Sequence, residues 1–125
     1  MTTNVEIVNR AYQAFASGDI PAVIDLLTDD VSWNSPKTLP QGGDYTGRDG
    51  AMQFFVNLGA AWTNLGLRVN NVVDLGDDTV IGLADAEGHL ATGVAAGYGV
   101  AHVFGLQNNK IVSFREYTDL DAMIV

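Results

Sequence analysis

The stretch that says most about the fold runs from Gly93 to Leu106 and reads GVAAGYGVAHVFGL. Large residues occupy one parity of this stretch, and glycine, alanine or valine occupies the other. The large row consists of Tyr98, Val100, His102, Phe104 and Leu106. The alternation predicts a long β-strand whose bulky row faces the core. The small row, from Gly97 to Gly105, predicts either a smooth outer face that pairs with a second sheet in a homodimer or a sharply bent strand.

Strands are also predicted on both sides of this stretch. The turn-forming Gln107-Asn108-Asn109 leads into a strand over residues 110–117. Upstream, apolar and polar residues alternate with a period of two over residues 67–75 and 79–87, which predicts two strands. Gly76-Asp77-Asp78 between them predicts a hairpin turn. We therefore expect the second half of the chain to be a meander of four strands.

The first half predicts helices. A capping-box pattern begins at Thr3, and the helix that follows is expected to end at Ser17-Gly18. Asp19 is expected to cap a second, short helix, and apolar residues at helical spacing predict a third from Gly47 to Asn64. Helices that precede a sheet along the chain favour an α+β fold, with the helices packed on one face of a curved antiparallel sheet.

Two segments connect the second and third helices. Residues 31–35 alternate as a short strand, which Pro36 ends. The loop from Pro36 to Tyr45 is rich in proline and glycine, and it forms either a rim or lid over a site or a plain surface connection.

Composition narrows the classes of function. The 125 residues carry 6 Lys+Arg against 15 Asp+Glu, so no basic surface is available to follow a phosphate backbone, and we expect no nucleic-acid partner. The start of the chain lacks a positive region followed by an apolar run, and no uninterrupted apolar run is long enough to span a bilayer. We expect one cytoplasmic domain over residues 1–125, with no membrane partner.

Few residues are candidates for chemistry. His102 lies in the bulky row, where a buried imidazole is either a satisfied core residue or a general acid or base. Asp85 and Glu116 each lie within an apolar strand, where both could face solvent or both could point into one cavity as an acid–base pair. Two histidines without carboxylates at ligand spacing predict neither a metal site nor a cofactor.

Several motifs together resemble the nuclear-transport-factor-2-like superfamily, and most closely its SnoaL-like and ketosteroid-isomerase-related branch. These motifs are Ser17-Gly18-Asp19, Asp29-Asp30-Val31, Tyr45-x-Gly47-Arg48, Asn109-Lys110-Ile111-Val112 and Arg115-Glu116-Tyr117-Thr118-Asp119. The resemblance covers nearly the whole chain. It implies a cone-shaped sheet, antiparallel or mixed, that wraps the helices around one apolar pocket, and it implies a dimer.

The pocket implies a hydrophobic small-molecule ligand. Together with Asn34, the residues expected to bind it are Tyr12, Trp33, Phe55, Tyr98, Phe104 and Phe114.

The resemblance to ketosteroid isomerases is incomplete at the site. Those enzymes use an Asp base with a Tyr and a protonated Asp as oxyanion donors. Here Ser35 occupies the base position, Ala11 with Tyr12 beside it occupies the tyrosine position, and His102 stands near the position of the protonated Asp.

The chain also resembles limonene epoxide hydrolases in part. Asn34 matches their water-holding Asn, while Asp85 and Glu116 match their two catalytic acids. Leu83 stands at the position of the bridging Arg, and Ser32 stands at that of the Tyr.

Three functions are compatible with these patterns. The first is water addition or epoxide opening on a hydrophobic small molecule by Asp85 and Glu116, with water held by Asn34 and a hydrogen bond donated by His102. The second is an isomerase or cyclase of SnoaL type that uses His102 with one carboxylate. The third is a noncatalytic module that binds a ligand.

Overall fold

Three helices and six strands make up residues 2–118, which are the residues that this computed structural model describes. Met1 and residues 119–125, including Asp119 of the last motif, lie outside the described residues. The elements in chain order are α1 (Asn4–Ala16), α2 (Ile20–Asp25), β1 (Leu27–Ser35), β2 (Gly43–Thr46), α3 (Gly47–Ala61), β3 (Trp62–Gly76), β4 (Thr79–Leu90), β5 (Ala95–Gln107) and β6 (Lys110–Thr118).

The strands form one mixed sheet in the order β2-β1-β6-β5-β4-β3. Strands β3 to β6 are the predicted antiparallel meander, and β1 joins it by pairing parallel to β6. The predicted α+β class is therefore confirmed. The sheet is open, because β2 and β3 are its two edges.

Two tight turns set the register of the meander. Asp77-Asp78 joins β3 to β4, and Asn108-Asn109 joins β5 to β6; all four residues have φ between 51° and 64°. Two-residue hairpin loops favour positive φ values because a turn with this backbone conformation has the same twist as the flanking strands. Asn and Asp tolerate this conformation better than most residues. Both turns lie where the sequence predicts them.

The helix starts also follow the sequence. The Thr3 side chain accepts a hydrogen bond from the Glu6 N–H, and Asp19 caps α2 through the Ala22 N–H. The prediction for the third helix is wrong at its end. α3 stops at Ala61, because Trp62 has an extended backbone and pairs with Leu90 at the start of β3.

Burial on β5 alternates as predicted. Every second residue from Ala96 to Leu106 is buried, and the residues between them are partly exposed. The buried row contributes residues to two apolar clusters on the inner face of the sheet. One cluster centres on Trp33, Phe54 and Phe114, and the other on Trp62 and Tyr98. None of the helices between residues 2 and 118 has the length and apolarity needed to cross a bilayer.

Candidate active site

A cavity of about 70 Å³ lies where the two apolar clusters meet, between the helices and the inner face of the sheet. This volume is several times what one ordered water requires. Six of the residues predicted to bind substrate line it: Tyr12, Trp33, Phe55, Tyr98, Phe104 and Phe114. Trp33 and Phe114 stack with their ring centroids 4.0 Å apart, so the wall is flat and aromatic there.

Four buried or half-buried side chains form a hydrogen-bonded chain at this wall. The Tyr12 hydroxyl lies 2.8 Å from Nδ1 of His102, and Nε2 of His102 lies 3.0 Å from Oε2 of Glu116. The Ser35 hydroxyl donates to Oε1 of Glu116 over 2.7 Å. His102 and Glu116 are only 4% and 9% exposed, so water competes little for these bonds. We call this set the Ser35–Glu116–His102–Tyr12 network.

Strand register brings three of the four residues together. His102 on β5 lies directly opposite Glu116 on β6, and both belong to the inward row. Ser35 ends β1, one residue beyond the parallel pair of Asn34 and Arg115. Residues that are 81 positions apart in the chain therefore share a hydrogen bond.

Tyr12 reaches the network from α1 because β4 leaves room for it. Gly82 lies opposite His102, and a Cβ atom at Gly82 would stand 1.9 Å from the Tyr12 hydroxyl oxygen. Any side chain at this position would displace the phenol. Gly82 thus positions Tyr12 beside the imidazole, and only the packing of α1 on the sheet reveals this role.

Burial and charge keep the two phenols of the cavity neutral. Burial raises the pKa of Tyr12 well above its usual value, and the negative charge of Glu116 raises it further. The pKa of Tyr98 is raised by the same two causes, with a hydrogen bond from Gln41 acting against them. At neutral pH both hydroxyls are protonated and can donate hydrogen bonds.

The loop after β1 closes one side of the cavity. Gln41 lines the cavity and is 1% exposed; its Oε1 accepts a hydrogen bond from the Trp62 indole N–H over 3.1 Å. The Tyr45 hydroxyl donates to the Gln41 carbonyl over 2.8 Å, and Leu39 of the same loop packs into the apolar cluster around Trp62 and Tyr98. Of the two interpretations of this loop, the rim or lid agrees with the structure. Its proline and glycine content was the sequence signal, but that signal did not identify Gln41.

Asp85 does not belong to the cavity. Its neighbours Ala84 and Ala86 are buried on the inner face, so the alternation of β4 places the half-exposed Asp85 side chain on the outer face. Hydrogen bonds from Asn70 and Arg68 there lower its pKa. The prediction that Asp85 and Glu116 converge on one cavity is therefore wrong.

Asn34 also points away from the cavity. It lies between the inward-facing Trp33 and Ser35 on β1, and its side-chain amide donates to Asp44 over 2.7 Å. The prediction that Asn34 holds a water in the pocket is wrong, because alternation along β1 places its side chain on the outer face of the sheet. Without Asp85 and Asn34 on the inner face, the arrangement expected for water addition is not assembled.

The six-stranded mixed sheet, with three helices packed against its inner face, is the fold of the nuclear-transport-factor-2-like superfamily. More narrowly, the chain belongs to the SnoaL-like domain family, whose model matches residues 8–114. None of the curated proteins compared with this chain matches it.

Solved structures share the fold over the whole domain. A nuclear-transport-factor-2-like protein from Burkholderia thailandensis is 30% identical, with a TM-score of 0.90 over 98% of this chain and 95% of that one. TerC co-crystallised with polyporic acid is 21% identical, with a TM-score of 0.83 over 95% and 93%. A candidate polyketide cyclase from Pseudomonas putida is 22% identical, with a TM-score of 0.78 over 98% and 96%.

Proposed function

We propose that the protein is a cofactor-independent acid–base enzyme of the isomerase or cyclase type, acting on an apolar small molecule that carries a carbonyl group. The observation that carries this proposal is the hydrogen-bonded pair of His102 and Glu116, buried in an aromatic cavity. A carboxylate that accepts from one imidazole nitrogen orients the ring and stabilises the imidazolium that forms when the ring takes up a proton.

The geometry suits proton abstraction next to a carbonyl. A proton leaves the carbon for the network, and the electron pair moves onto the carbonyl oxygen to give an enolate. The neutral phenol of Tyr98, which also lines the cavity, can donate a hydrogen bond to that oxygen. Return of the proton to another carbon completes an isomerisation, whereas attack of the enolate on a second carbonyl, followed by protonation of the new alkoxide, completes a cyclisation.

The lining limits the substrate to a neutral, largely apolar molecule. No Lys or Arg is among the described residues that line the cavity, and Glu116 already places a negative charge there. A multiply anionic ligand would therefore be repelled. TerC was co-crystallised with a small molecule, and another similar structure is a candidate polyketide cyclase. These two neighbours support a small-molecule ligand and this reaction class, whereas the neutrality of the ligand is inferred from the lining alone.

The test is hydrogen exchange of an enolisable aromatic ketone. Wild-type protein in D₂O should speed exchange of the α-protons of 2-tetralone, followed by proton NMR, and His102→Gln or Glu116→Gln should lower that rate by about 100-fold or more. His89→Gln is the matched control, because His89 is the other histidine and bonds Asn64 away from the cavity. If wild type binds the ketone but exchanges it no faster than His102→Gln, the domain binds ligands without catalysis.

We also infer a homodimer through the outer face of the sheet. Leu83 and Tyr117 are 42% and 53% exposed there, and Ala101 lies between them in register, so an apolar row crosses three strands. Arg115 on β6 and Glu87 on β4 are exposed on the same face, so a twofold axis that runs between two facing sheets, over β5, can bring opposite charges together.

Sedimentation measures this association directly. Wild type should sediment as a dimer and Ala101→Arg as a monomer, while Val56→Arg on α3 should leave the dimer intact. A monomeric wild type at every concentration would contradict the interface.

A further inference from the structure

We propose that the Tyr12 hydroxyl is the group of the Ser35–Glu116–His102–Tyr12 network that exchanges a proton with the substrate, with His102 acting through it. This inference rests on the proposed acid–base function. Both ring nitrogens of His102 are already within hydrogen-bond distance of protein atoms, Nδ1 of Tyr12 and Nε2 of Glu116. The imidazole therefore has no nitrogen left to meet a ligand.

The phenol has the free capacity that the imidazole lacks. A hydroxyl offers one donor and two acceptor sites, and His102 is the one partner that the described residues provide for the Tyr12 oxygen. The two oxygens of Glu116 already accept from Ser35 and His102, respectively. Tyr12 also lines the cavity, so its remaining sites can face a bound molecule.

The relay is balanced in both directions. With a neutral imidazole, Nε2–H donates to Glu116 and the Tyr12 O–H donates to Nδ1, so the phenol oxygen can take a proton from substrate carbon while its own proton passes to Nδ1. With the imidazolium, Nδ1–H donates to the phenol oxygen, and the Tyr12 O–H is free to donate to the substrate. No electron acceptor or additional reactant is needed.

Burial explains why the phenol cannot act without the imidazole. Its raised pKa keeps Tyr12 protonated at neutral pH, so the hydroxyl can accept a substrate proton only as it gives its own proton to His102. Gly82 holds the phenol in place for this transfer, since a Cβ atom there would overlap its oxygen.

The tautomer of His102 tests the relay without any turnover. Nitrogen-15 NMR of uniformly labelled protein, assigned with His89→Gln, should show that neutral His102 carries its proton on Nε2 and that Nδ1 is unprotonated. Neutral His102 with its proton on Nδ1 would overturn the relay, because Tyr12 could then not donate to that nitrogen. Because the tautomer is measured without turnover, a failure of the relay is distinguishable from a failure of the proposed enzymatic function.

Exchange of 2-tetralone then shows whether the Tyr12 hydroxyl transfers a proton or only positions His102. Tyr12→Phe keeps the ring and should lower the maximal rate by about 100-fold while KM stays within about threefold. Gly82→Ala should lower the maximal rate by a similar factor, although all four network residues are retained. Gly99→Ala is the control and should leave the rate unchanged, because a Cβ atom there would approach only Asp85, at 3.9 Å. A Tyr12→Phe rate within threefold of wild type would assign the proton transfer to His102 itself.

Discussion

Replacement of Ser35 by Ala probes the buried end of the network. The Ser35 hydroxyl is 2.7 Å from Oε1 of Glu116, and the side chains of both residues are almost completely buried. Removing the hydroxyl leaves Oε1 without its donor in a place where water has little access. Hydrogen bonds to charged groups contribute about 1.5–3 kcal/mol, and an unsatisfied buried acceptor is costly.

We expect Ser35→Ala to lower the free energy of unfolding by about 2 kcal/mol, which is about a 30-fold change in the unfolding equilibrium. The matched control is Ser32→Ala on the same strand. Ser32 is exposed and donates to Asn34 over 3.1 Å, so its loss should change stability by less than about 0.5 kcal/mol.

Urea denaturation at neutral pH, followed by tryptophan fluorescence, measures both variants, provided that they share the wild-type m value. A Glu116→Gln background gives a second comparison. There Ser35→Ala should cost only about 1 kcal/mol, because the acceptor no longer carries a charge. Equal effects of Ser35→Ala and Ser32→Ala would refute the view that Ser35 satisfies a buried carboxylate.

Three further predictions concern the rest of the fold. Gly59→Ala should raise stability by about 0.5–1 kcal/mol in urea denaturation, since Gly59 lies in α3 and a Cβ there meets nothing within 4 Å; a loss of stability would contradict this packing. Asp85→Asn should leave the exchange of 2-tetralone unchanged. The folded-state pKa of Asp85 is depressed, so wild type has a stabilising contribution from Asp85 above the unfolded pKa and loses it as pH falls through the folded pKa. The variant should lack this contribution. Tyr12 and Tyr98 have raised folded-state pKa values, so their contribution to stability is full below the unfolded pKa of about 10 and is lost as pH rises from there through the folded pKa. Absorbance at 295 nm should show these two phenols ionising at lower pH in urea than in the native state, and identical titrations would argue against their burial.

The sheet was largely predictable because its signals are local. The period-two alternation of β5 and the Asn108-Asn109 turn depend on residues that are adjacent in the chain. Strand β2 was missed because only its pairing with β1, Tyr45 opposite Trp33, makes four residues of a loop into a strand. The end of α3 was missed for the same reason, since Trp62, the last apolar residue of the predicted helix, pairs with Leu90 on β4.

Sequence patterns alone identified part of the candidate site. It singled out His102 and Glu116, and it predicted the aromatic wall that the structure shows around the cavity. Parity within a strand limits each residue to one of two faces, but it does not say which face of one strand matches which face of the next. The pairing of the strands therefore places Glu116 on the inner face of the sheet and Asp85 on the outer face.

The hydrogen bonds that connect the site residues depend on contacts between distant parts of the chain. Ser35 meets Glu116 through parallel pairing of the first and last strands, and Tyr12 meets His102 because α1 packs over Gly82. These contacts join residues that are 81 and 90 positions apart. A hydrogen bond acts over about 3 Å, so such partners are chosen by register and packing rather than by any pattern along the chain.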